Sequence, residues 1–454
     1  MKDEDLQDCW TVAKIGEICD LINGRAFKPS EWSQKGLPIL RIQNLNNPNA
    51  SFNYFDGSFD DKHRVNNGDL LFAWSGTPGT SFGAHIWKRE NSVLNQHIFK
   101  VVFDENSINK SFFCYAINQK LDELILSAHG GVGLRHITKS KFENTNIVLP
   151  SWSEQKEIAS RLDDLLTRID RLKTRLDAIP QILKRFRQSV LAAAVSGRLT
   201  EVENKDKTKW IFEKISSFCE SISDGDHQAP PRSEKGIPFL VISDLSKGFV
   251  NFENVTRWVP NEYYESIKEI RKPRKYDILY TVTGSFGISV VVNDDKEFCF
   301  QRHIALLKPK HDKVNYKFLQ ILLSSPEGFQ QASTSATGTA QKTVSLKSLR
   351  NFIFYFPPIQ EQDEIVRRVE QLFAFADQIE NRVKDARAKA EHMTPSVLAR
   401  AFRGELTADW REQHPHLISG ENSAKALLEK IRSQKESLKP AKKTRTRSTD
   451  RKKD

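Results

Sequence analysis

Apolar residues recur at intervals of four and three along two separate stretches of the chain, which begin at Ile158 and at Ile365. This spacing keeps one apolar stripe on one face of a helix, as in the seam of a coiled coil. We therefore predict two long helical spacers with matched seams. The seam residues are Ile158, Leu162, Leu165, Ile169, Leu172, Leu176 and Ile179 in the first spacer, and Ile365, Val369, Leu372, Ala376, Ile379, Val383 and Ala386 in the second.

A proline precedes each spacer and a glycine follows it, which is the usual order of helix-start and helix-stop residues. These residues are Pro150, Pro357, Gly197 and Gly404. Pro180 and Pro395 fall inside the heptad runs. Because a proline removes a helical hydrogen bond, each predicts a kink or an interruption. We therefore expect two helical segments in each spacer.

Short apolar runs separated by turn residues fill residues 1–150 and 206–357. Runs such as LLFAW and IFKVVF in the first region, and ILYTV and FIFYF in the second, predict strands. Residues 111–127 and 316–325 predict amphipathic helices. The predicted fold class is α+β, with two globular mixed domains in tandem, here called head 1 and head 2.

The chain contains an internal repeat. KGLPILRIQNL at 35–45 matches KGIPFLVISDL at 235–245, LPSWSEQKEI at 149–158 matches FPPIQEQDEI at 356–365, and SVLAAAVSGRLT at 189–200 matches SVLARAFRGELT at 396–407. GDLLF at 68–72 also matches YDILY at 276–280, and the offset changes only from 200 to 208 residues along the chain. This period is too long for a solenoid and indicates a duplicated pair of domains.

Two seams of equal length can pair with each other, most simply as an antiparallel coiled coil with one head at each end. The apolar spacing continues through Leu183, Phe186 and Val190, so the first spacer's apolar stripe covers 158–190, or roughly 50 Å at 1.5 Å per residue. Duplex DNA repeats about every 34–36 Å, so such heads could reach two grooves on one face of a duplex. Because the heads differ in sequence, a bipartite and asymmetric target follows.

Charge and composition fit this picture. The formal net charge is +11, which favours a polyanionic partner. Residues 439–454 hold eight Lys or Arg against two Asp, and we expect a disordered tail that either grazes DNA or only aids solubility. The five cysteines form no CxxC pair, so we expect reduced buried thiols and no metal site. No apolar run is long enough to span a membrane and no secretory signal is present, so we expect a cytoplasmic protein without a membrane partner.

The two spacers resemble the conserved regions of type I restriction–modification specificity subunits. EQKEIASRLDDLLTRIDRLKTRLDAIPQILKRFRQSVL resembles the central conserved region, and EQDEIVRRVEQLFAFADQIENRV with SVLARAFRGELTADWREQHP resembles the C-terminal one. LISGENSAKALLEKI extends the match and points to the K-type, or type IA, family. The resemblance covers about 150–200 and 357–431, whereas the heads match only in layout and in short pieces. It implies a first target-recognition domain over 1–150, a central spacer over 151–205, a second target-recognition domain over 206–357, a C-terminal spacer over 358–410, and an extension with a basic tail over 411–454.

The resemblance also implies a role within a complex. Two DNA adenine methyltransferase subunits would dock on the spacers, and restriction subunits that translocate and cleave DNA would join them. S-adenosylmethionine, ATP and Mg would then be bound by those partners, and this chain would hold no cofactor and no catalytic residue. The chain has no GxxxxGK[ST] loop and no Asn- or Asp-Pro-Pro-aromatic motif, in agreement with that role. The alternatives are an enzyme with a catalytic centre inside one head, and a stand-alone bipartite DNA-binding regulator or scaffold.

Candidate base-contacting residues lie in the loops between predicted strands, where side chains that can hydrogen-bond to base edges occur. In head 1 they are Arg41, Gln43, Asn44, Ser75, Thr77, Ser81, Arg135, His136 and Lys139. In head 2 they are Ser243, Asp244, Thr283, Ser285, Gln341 and Lys342. Each has a competing interpretation as a surface or internally hydrogen-bonded residue. The glycine-rich stretches nearby either bring backbone N–H groups to phosphates or form tight turns. His97 and His303, at matching positions, are interpreted as structural.

Overall fold

The structure is a computed structural model in which two compact units divide the chain. Unit 1 comprises residues 1–174 and 388–454, and unit 2 comprises residues 175–387. The described residues are 7–47, 49–76, 81–126, 135–200, 209–225, 230–246, 248–253, 255–339 and 341–437. Each unit therefore contains one head together with one end of each spacer.

The first half of the chain forms twelve strands and six helices among the described residues. The strands are β1 (Thr11–Lys14), β2 (Asp20–Asn23), β3 (Leu37–Leu40), β4 (Asn53–Phe55), β5 (Arg64–Val65), β6 (Leu70–Ala73), β7 (Ser75–Gly76), β8 (Gly83–Ile86), β9 (Ser92–Leu94), β10 (Ile98–Val102), β11 (Arg135–His136) and β12 (Asn146–Leu149). The helices are α1 (Ile15–Ile18), α2 (Ile42–Asn46), α3 (Lys110–Gln119), α4 (Leu121–Leu126), α5 (Lys139–Glu143) and α6 (Trp152–Val195).

The second half repeats this order with fewer described strands. The strands are β13 (Ile211–Lys214), β14 (Cys219–Asp224), β15 (Ile237–Leu240), β16 (Trp258–Val259), β17 (Ile278–Thr281), β18 (Ser289–Val291), β19 (Cys299–Phe300), β20 (Ile304–Pro309) and β21 (Ile353–Phe356). The helices are α7 (Asn261–Ser266), α8 (Tyr316–Ser324), α9 (Pro326–Ser335), α10 (Leu346–Arg350) and α11 (Ile359–Phe402). Two further helices, α12 (Ala408–Gln413) and α13 (Ala424–Ser437), return to unit 1.

Both heads are built from corresponding antiparallel sheets. The central sheet has the order β2-β10-β6-β8 in unit 1 and β14-β20-β17-β18 in unit 2. A second sheet, β4-β3-β9-β5 or β16-β15-β19, contains one parallel pair. A two-stranded pair, β1-β12 or β13-β21, leads into the spacer. The prediction of two α+β domains in tandem is confirmed, although residues 111–127 form two helices, α3 and α4, rather than one.

Both spacer helices contribute side chains to the core of each unit. In unit 1, Ile158 and Leu162 of α6 and Phe402 of α11 lie in one hydrophobic cluster with the sheet. In unit 2, Val190 of α6 and Ile365 of α11 lie in the corresponding cluster. Burying a large apolar side chain contributes about 1.5–3 kcal/mol, so these contacts fix each helix end to its head.

The two spacers pack against each other in opposite directions. Lys173 lies beside Thr394 in unit 1, with Nζ to Oγ1 at 3.5 Å. In unit 2, Arg187 pairs with Asp377 at 2.6 Å, and Arg387 pairs with Asp177. Residue numbers rise on one helix as they fall on the other, and the predicted antiparallel coiled coil is therefore confirmed.

Both seam positions are buried in the first heptad of each spacer, at Ile158 and Leu162 and at Ile365 and Val369, but farther along one of the two positions is more buried than the other. The buried set is Leu162, Ile169, Leu176, Leu183 and Val190 on α6, and Val369, Ala376, Val383 and Ala390 on α11. The intervening positions, Leu165, Leu172, Ile179, Leu372, Ile379 and Ala386, are half-buried or exposed. The helices thus meet along a narrow stripe of one residue per two turns.

The expected interruption of the spacers was wrong. Helix α6 runs through Pro180 and α11 runs through Pro395 without a break. Both prolines are exposed, so the missing hydrogen bond lies on the solvent side. The buried seam positions Leu176 and Leu183 continue on either side of Pro180, and this packing outweighs the local cost. No helix among the described residues is both long and apolar enough to cross a membrane.

Candidate nucleic-acid interface

In unit 2, the residues that follow β17 lie beside the residues that precede α10. Gly284 N–H donates to the carbonyl oxygen of Lys342 at 2.9 Å. The Thr343 hydroxyl donates to Thr283 Oγ1 at 3.3 Å. These two loops are about sixty residues apart in the chain, and the fold brings them onto one surface.

Gly284 makes this close approach possible. Its φ is +69°, and a methyl group there would lie 3.0 Å from Nε2 of Gln341. The side chains of Ser285, Gln341 and Lys342 are exposed around it. A backbone position of this kind beside exposed polar side chains leaves room for a ligand to approach closely.

Unit 1 has the same arrangement at the corresponding residues. The short strand β7 pairs with β11, in the register Arg135 opposite Gly76 and His136 opposite Ser75. His136 is exposed, whereas Ser75 is buried. The loop pairing is thus a property of the repeat and not of one head.

A third loop borders this surface in both units. Trp74 N–H donates to the carbonyl oxygen of His97 at 3.1 Å, and Val282 N–H donates to that of His303 at 2.9 Å. Both histidines lie in the turn that precedes the central strand β10 or β20. The turn therefore lies directly beside the paired loops.

The His97 side chain packs inside this corner. Its φ is +76°, and its ring centroid is 4.9 Å from that of Trp74 and 6.4 Å from that of His136. Burial lowers the pKa of His97, and the nearby His136 lowers it further. His97 is therefore neutral at pH 7, which suits the structural role expected for it. Nδ1 of His97 and Nε1 of Trp74 are buried and have no hydrogen-bond partner among the described residues.

Sequence reasoning missed the residues next to these histidines. Gln96 and Arg302 immediately precede them and are exposed. Both belong to the residue types that bond two atoms of a base edge, Gln to adenine and Arg to guanine. Both residues lie in the matched segments NQHI at 95–98 and QRHI at 301–304, and the signal that could have identified them is the different residue before the shared histidine.

In the turns after β3 and β15, two of the predicted DNA-contacting residues, Asn44 and Asp244, accept hydrogen bonds within the turn. The Arg41 N–H donates to Asn44 Oδ1 at 3.0 Å, and the Val241 N–H donates to Asp244 Oδ2 at 2.8 Å. Both acceptor side chains are buried, and burial raises the pKa of Asp244. Asn44 and Asp244 stabilise their own turns, whereas their neighbour Ser243 is exposed.

The turn after β3 nevertheless lies at the same end of head 1. Asn95 N–H donates to the carbonyl oxygen of Leu40 at 3.3 Å, which places Arg41 and Gln43 beside the turn that precedes β10. Gln43 is exposed, and the Arg41 guanidinium lies 5.6 Å from the ring centroid of Trp32. In head 1 this surface therefore combines four chain segments: the two paired loops, the turn that precedes β10 and the turn after β3.

Several other predicted residues are held by internal contacts or lie outside the description. Ser81 is buried. Lys139 Nζ donates to the carbonyl oxygen of Leu21 at 3.2 Å and lies 3.6 Å from the Glu143 carboxylate. Thr77, the glycine-rich segment 127–134 and the basic tail 439–454 lie outside the described residues. Where the chain is described, no group of three or more His, Cys, Asp or Glu side chains could hold a metal ion.

Comparison with known proteins gives a consistent result. The family described as "Type I restriction modification DNA specificity domain" matches residues 7–181 and 203–386. The chain is 37% identical to the EcoBI specificity subunit and 34% identical to the EcoKI specificity subunit, both from Escherichia coli. These alignments cover 95% of this chain and 93% and 96% of the two relatives.

Solved structures share the fold. The HsdS subunit from Thermoanaerobacter tengcongensis superposes with a TM-score of 0.59 at 19% identity, over 88% of this chain and 98% of that one. A chain from a study of the assembly and conformational transition of the type I R-M system gives 0.63 at 18% identity, over 88% and 99%.

A duplicated α+β head, paired antiparallel spacers and corresponding loop surfaces in the two heads, together with these matches, define a DNA-specificity subunit. The chain belongs to the family of type I restriction–modification specificity subunits, alongside the K-type relatives.

Proposed function

We propose that this chain directs a type I restriction–modification complex to a bipartite, asymmetric DNA site. Each head reads one half-site, and the paired spacers set the gap. One observation carries the proposal: corresponding loop surfaces bear different side chains, with Gln96 and His136 in unit 1 where Arg302 and Thr343 stand in unit 2. Equivalent scaffolds with different donors and acceptors read different bases.

The direct test is to map methylated adenines across the genome of a host that carries the intact system. The expected result is one bipartite motif with a fixed gap and two unlike halves. A palindromic motif, or methylation without a sequence preference, would reject this proposal. Exchanging head 1 with that of a relative should change one half of the motif only.

Phosphate contacts can be tested separately through the salt dependence of DNA binding. Lys342→Ala and Arg135→Ala should each weaken binding and reduce the slope of log K against log salt by about one, because each lost phosphate contact releases fewer counterions. Lys313→Ala is the matched control, since this exposed lysine follows the far end of β20. An unchanged slope would reject the assignment of Lys342 or Arg135.

The same proposal assigns the chemistry to other subunits. Two adenine methyltransferase subunits bind the spacers, restriction subunits join them, and the partners hold S-adenosylmethionine, ATP and Mg. The family supports this, since its named relatives are specificity subunits. The purified chain alone should neither methylate nor cleave DNA, and methyl transfer should appear when the methyltransferase subunit is added. Methylation by the chain alone would place a catalytic centre in a head.

A further inference from the structure

In unit 1, the C-terminal helix α13 partly covers the outer face of the β1-β12 pair, on which Val148 is buried and Val12 is 36% exposed. It packs against α1 and β1. Its Leu428 and Ile431 are buried in the same hydrophobic cluster as Val148 of β12. An amphipathic helix with aliphatic side chains three residues apart thus closes this side of head 1.

The last turns of α13 add polar anchors. Lys435 Nζ donates to the carbonyl oxygen of Cys19 at 2.6 Å and pairs with the Asp20 carboxylate at 2.9 Å. Arg432 pairs with Glu17 at 2.9 Å. Both the apolar and the basic residues of α13 therefore bind it to unit 1.

Among the described residues, no helix packs on the corresponding face of unit 2 as α13 does in unit 1. Phe212 of β13 stands opposite Tyr355 of β21, as Val12 stands opposite Val148 in unit 1. Phe212 is 57% exposed and Tyr355 is 50% exposed, and their ring centroids are 4.6 Å apart. The neighbouring Ile211 is also 60% exposed, but its side chain points to the opposite face of β13, because successive side chains of a strand alternate. Two aromatic side chains that contact each other and water on one face of a strand pair are typical of a binding surface.

A cavity of about 610 Å³ lies next along the chain, between β14, α10 and the turn at 269–271. Its lining includes Cys219 and Glu220, which correspond to Cys19 and Asp20, the residues that Lys435 contacts in unit 1. Glu220 is exposed. Where the chain is described, the position that receives a lysine in unit 1 is therefore open in unit 2, and it retains an acidic residue.

We propose that this face, formed by Phe212, Tyr355 and the cavity at Glu220 and here called the unit 2 groove, binds an amphipathic helix of the methyltransferase subunit. The helix would present aliphatic side chains to the aromatic pair and a Lys or Arg to Glu220, as α13 does in unit 1. This inference rests on the proposed function for the identity of the partner.

Two observations favour this occupant over the α13 of a second copy. Helix α13 is already fixed to its own unit by buried and ion-paired side chains, and leaving it would expose Leu428 and Ile431. The unit 2 groove also adjoins the spacer, because β21 ends at Phe356 and α11 begins at Ile359. It is thus continuous with the surface on which the methyltransferase subunit is proposed to dock.

Photocrosslinking tests the identity of the occupant. Tyr355 is replaced by p-benzoylphenylalanine in the full chain, and the complex with the methyltransferase subunit is irradiated and mapped by mass spectrometry. The expected adduct is with a helix of the methyltransferase subunit. An adduct with α13 of a second copy, or none with the methyltransferase subunit, would overturn the proposal. Phe249, an exposed aromatic residue in the same unit, is the control position and should give no such adduct.

Substitution tests the contribution to binding. Because Phe212 and Tyr355 are exposed, the double variant Phe212→Ser with Tyr355→Ser should fold normally and bind the methyltransferase subunit at least about tenfold more weakly. Phe249→Ser should bind as the wild type does. Equal affinity of the double variant and the wild type would refute the groove while leaving the proposed function intact. If the wild type binds no methyltransferase subunit, both the groove and the proposed function are rejected.

Discussion

At the residue scale, a Glu–Gln pair at the start of each spacer joins three parts of its unit. Glu154 is fully buried and accepts hydrogen bonds from Trp10 Nε1 at 2.7 Å and from Thr407 Oγ1 at 2.8 Å. Glu361 accepts from Trp210 Nε1 at 3.1 Å in the same way. The neighbouring glutamines also bind the head, since Asn109 N–H donates to Gln155 Oε1 and Asn315 N–H donates to Gln362 Oε1, both at 2.9 Å. The EQ pair shared by the matched segments LPSWSEQKEI and FPPIQEQDEI therefore links each head to the spacers.

We predict that Glu154 contributes more to the free energy of unfolding than Glu361 does. Glu154→Ala also removes the partner of Arg411, whose Nη1 lies 2.6 Å from the carboxylate, and should cost about 3–5 kcal/mol of unfolding free energy. Glu361→Ala loses hydrogen bonds from two uncharged donors, Trp210 and Thr200, and should cost about 1–3 kcal/mol. Urea unfolding of the full chain measures both, and equal losses would contradict the role given to Arg411.

The cysteines give a second prediction at this scale. Burial raises the pKa of Cys19, Cys114 and Cys219 to about 12, so almost no thiolate exists at pH 8. Cys299 is also buried, whereas Cys9 is half-buried. Ellman's reagent at pH 8 should therefore modify Cys9 first and the other four only after unfolding. Rapid modification of two or more thiols in the native chain would show that the buried set is accessible.

At the element scale, the spacers were predictable because their period is repeated over many turns. The sequence also contained a clue to the roles of Asn44 and Asp244. Each stands three residues after the extended residue, Arg41 or Val241, that precedes a helical turn. From that position a side-chain oxygen can accept the backbone N–H of the preceding extended residue. The joining of the loops at Gly284 and Lys342 had no such clue, since it depends on tertiary packing between distant segments. The interruption predicted at Pro180 and Pro395 was wrong because it considered only the lost helical hydrogen bond and not the apolar packing on either side of each proline.

The narrow seam predicts unequal effects of two similar substitutions. Leu176 is 8% exposed and Leu172 is 40% exposed. Leu176→Ala should lower the unfolding free energy by about 2–5 kcal/mol, because it leaves a cavity between the helices. Leu172→Ala should cost less than about 1 kcal/mol. Chemical unfolding followed by circular dichroism at 222 nm distinguishes them, and similar losses would mean that both positions face the partner helix.

At the scale of the whole molecule, two heads with unlike surfaces should control separate halves of the target. Arg302→Ala should weaken discrimination at one position by about 1–3 kcal/mol and relax only the half-site read by unit 2. The methylation motif of the host measures this, with Lys313→Ala as the control. Relaxation in both halves, or in neither, would exclude Arg302 from base reading.

The division of the chain also has a consequence for synthesis on the ribosome. Unit 2 is continuous in sequence, whereas the core of unit 1 needs Phe402, Leu428 and Ile431, which are made last. At about 5–20 residues per second, the N-terminal head waits roughly 10–50 s for its final helix. Unit 2 can therefore complete its fold before unit 1, although unit 1 contains the N-terminal head. Limited proteolysis of nascent chains arrested just after residue 387 has left the ribosomal exit tunnel should cleave unit 1 while unit 2 resists.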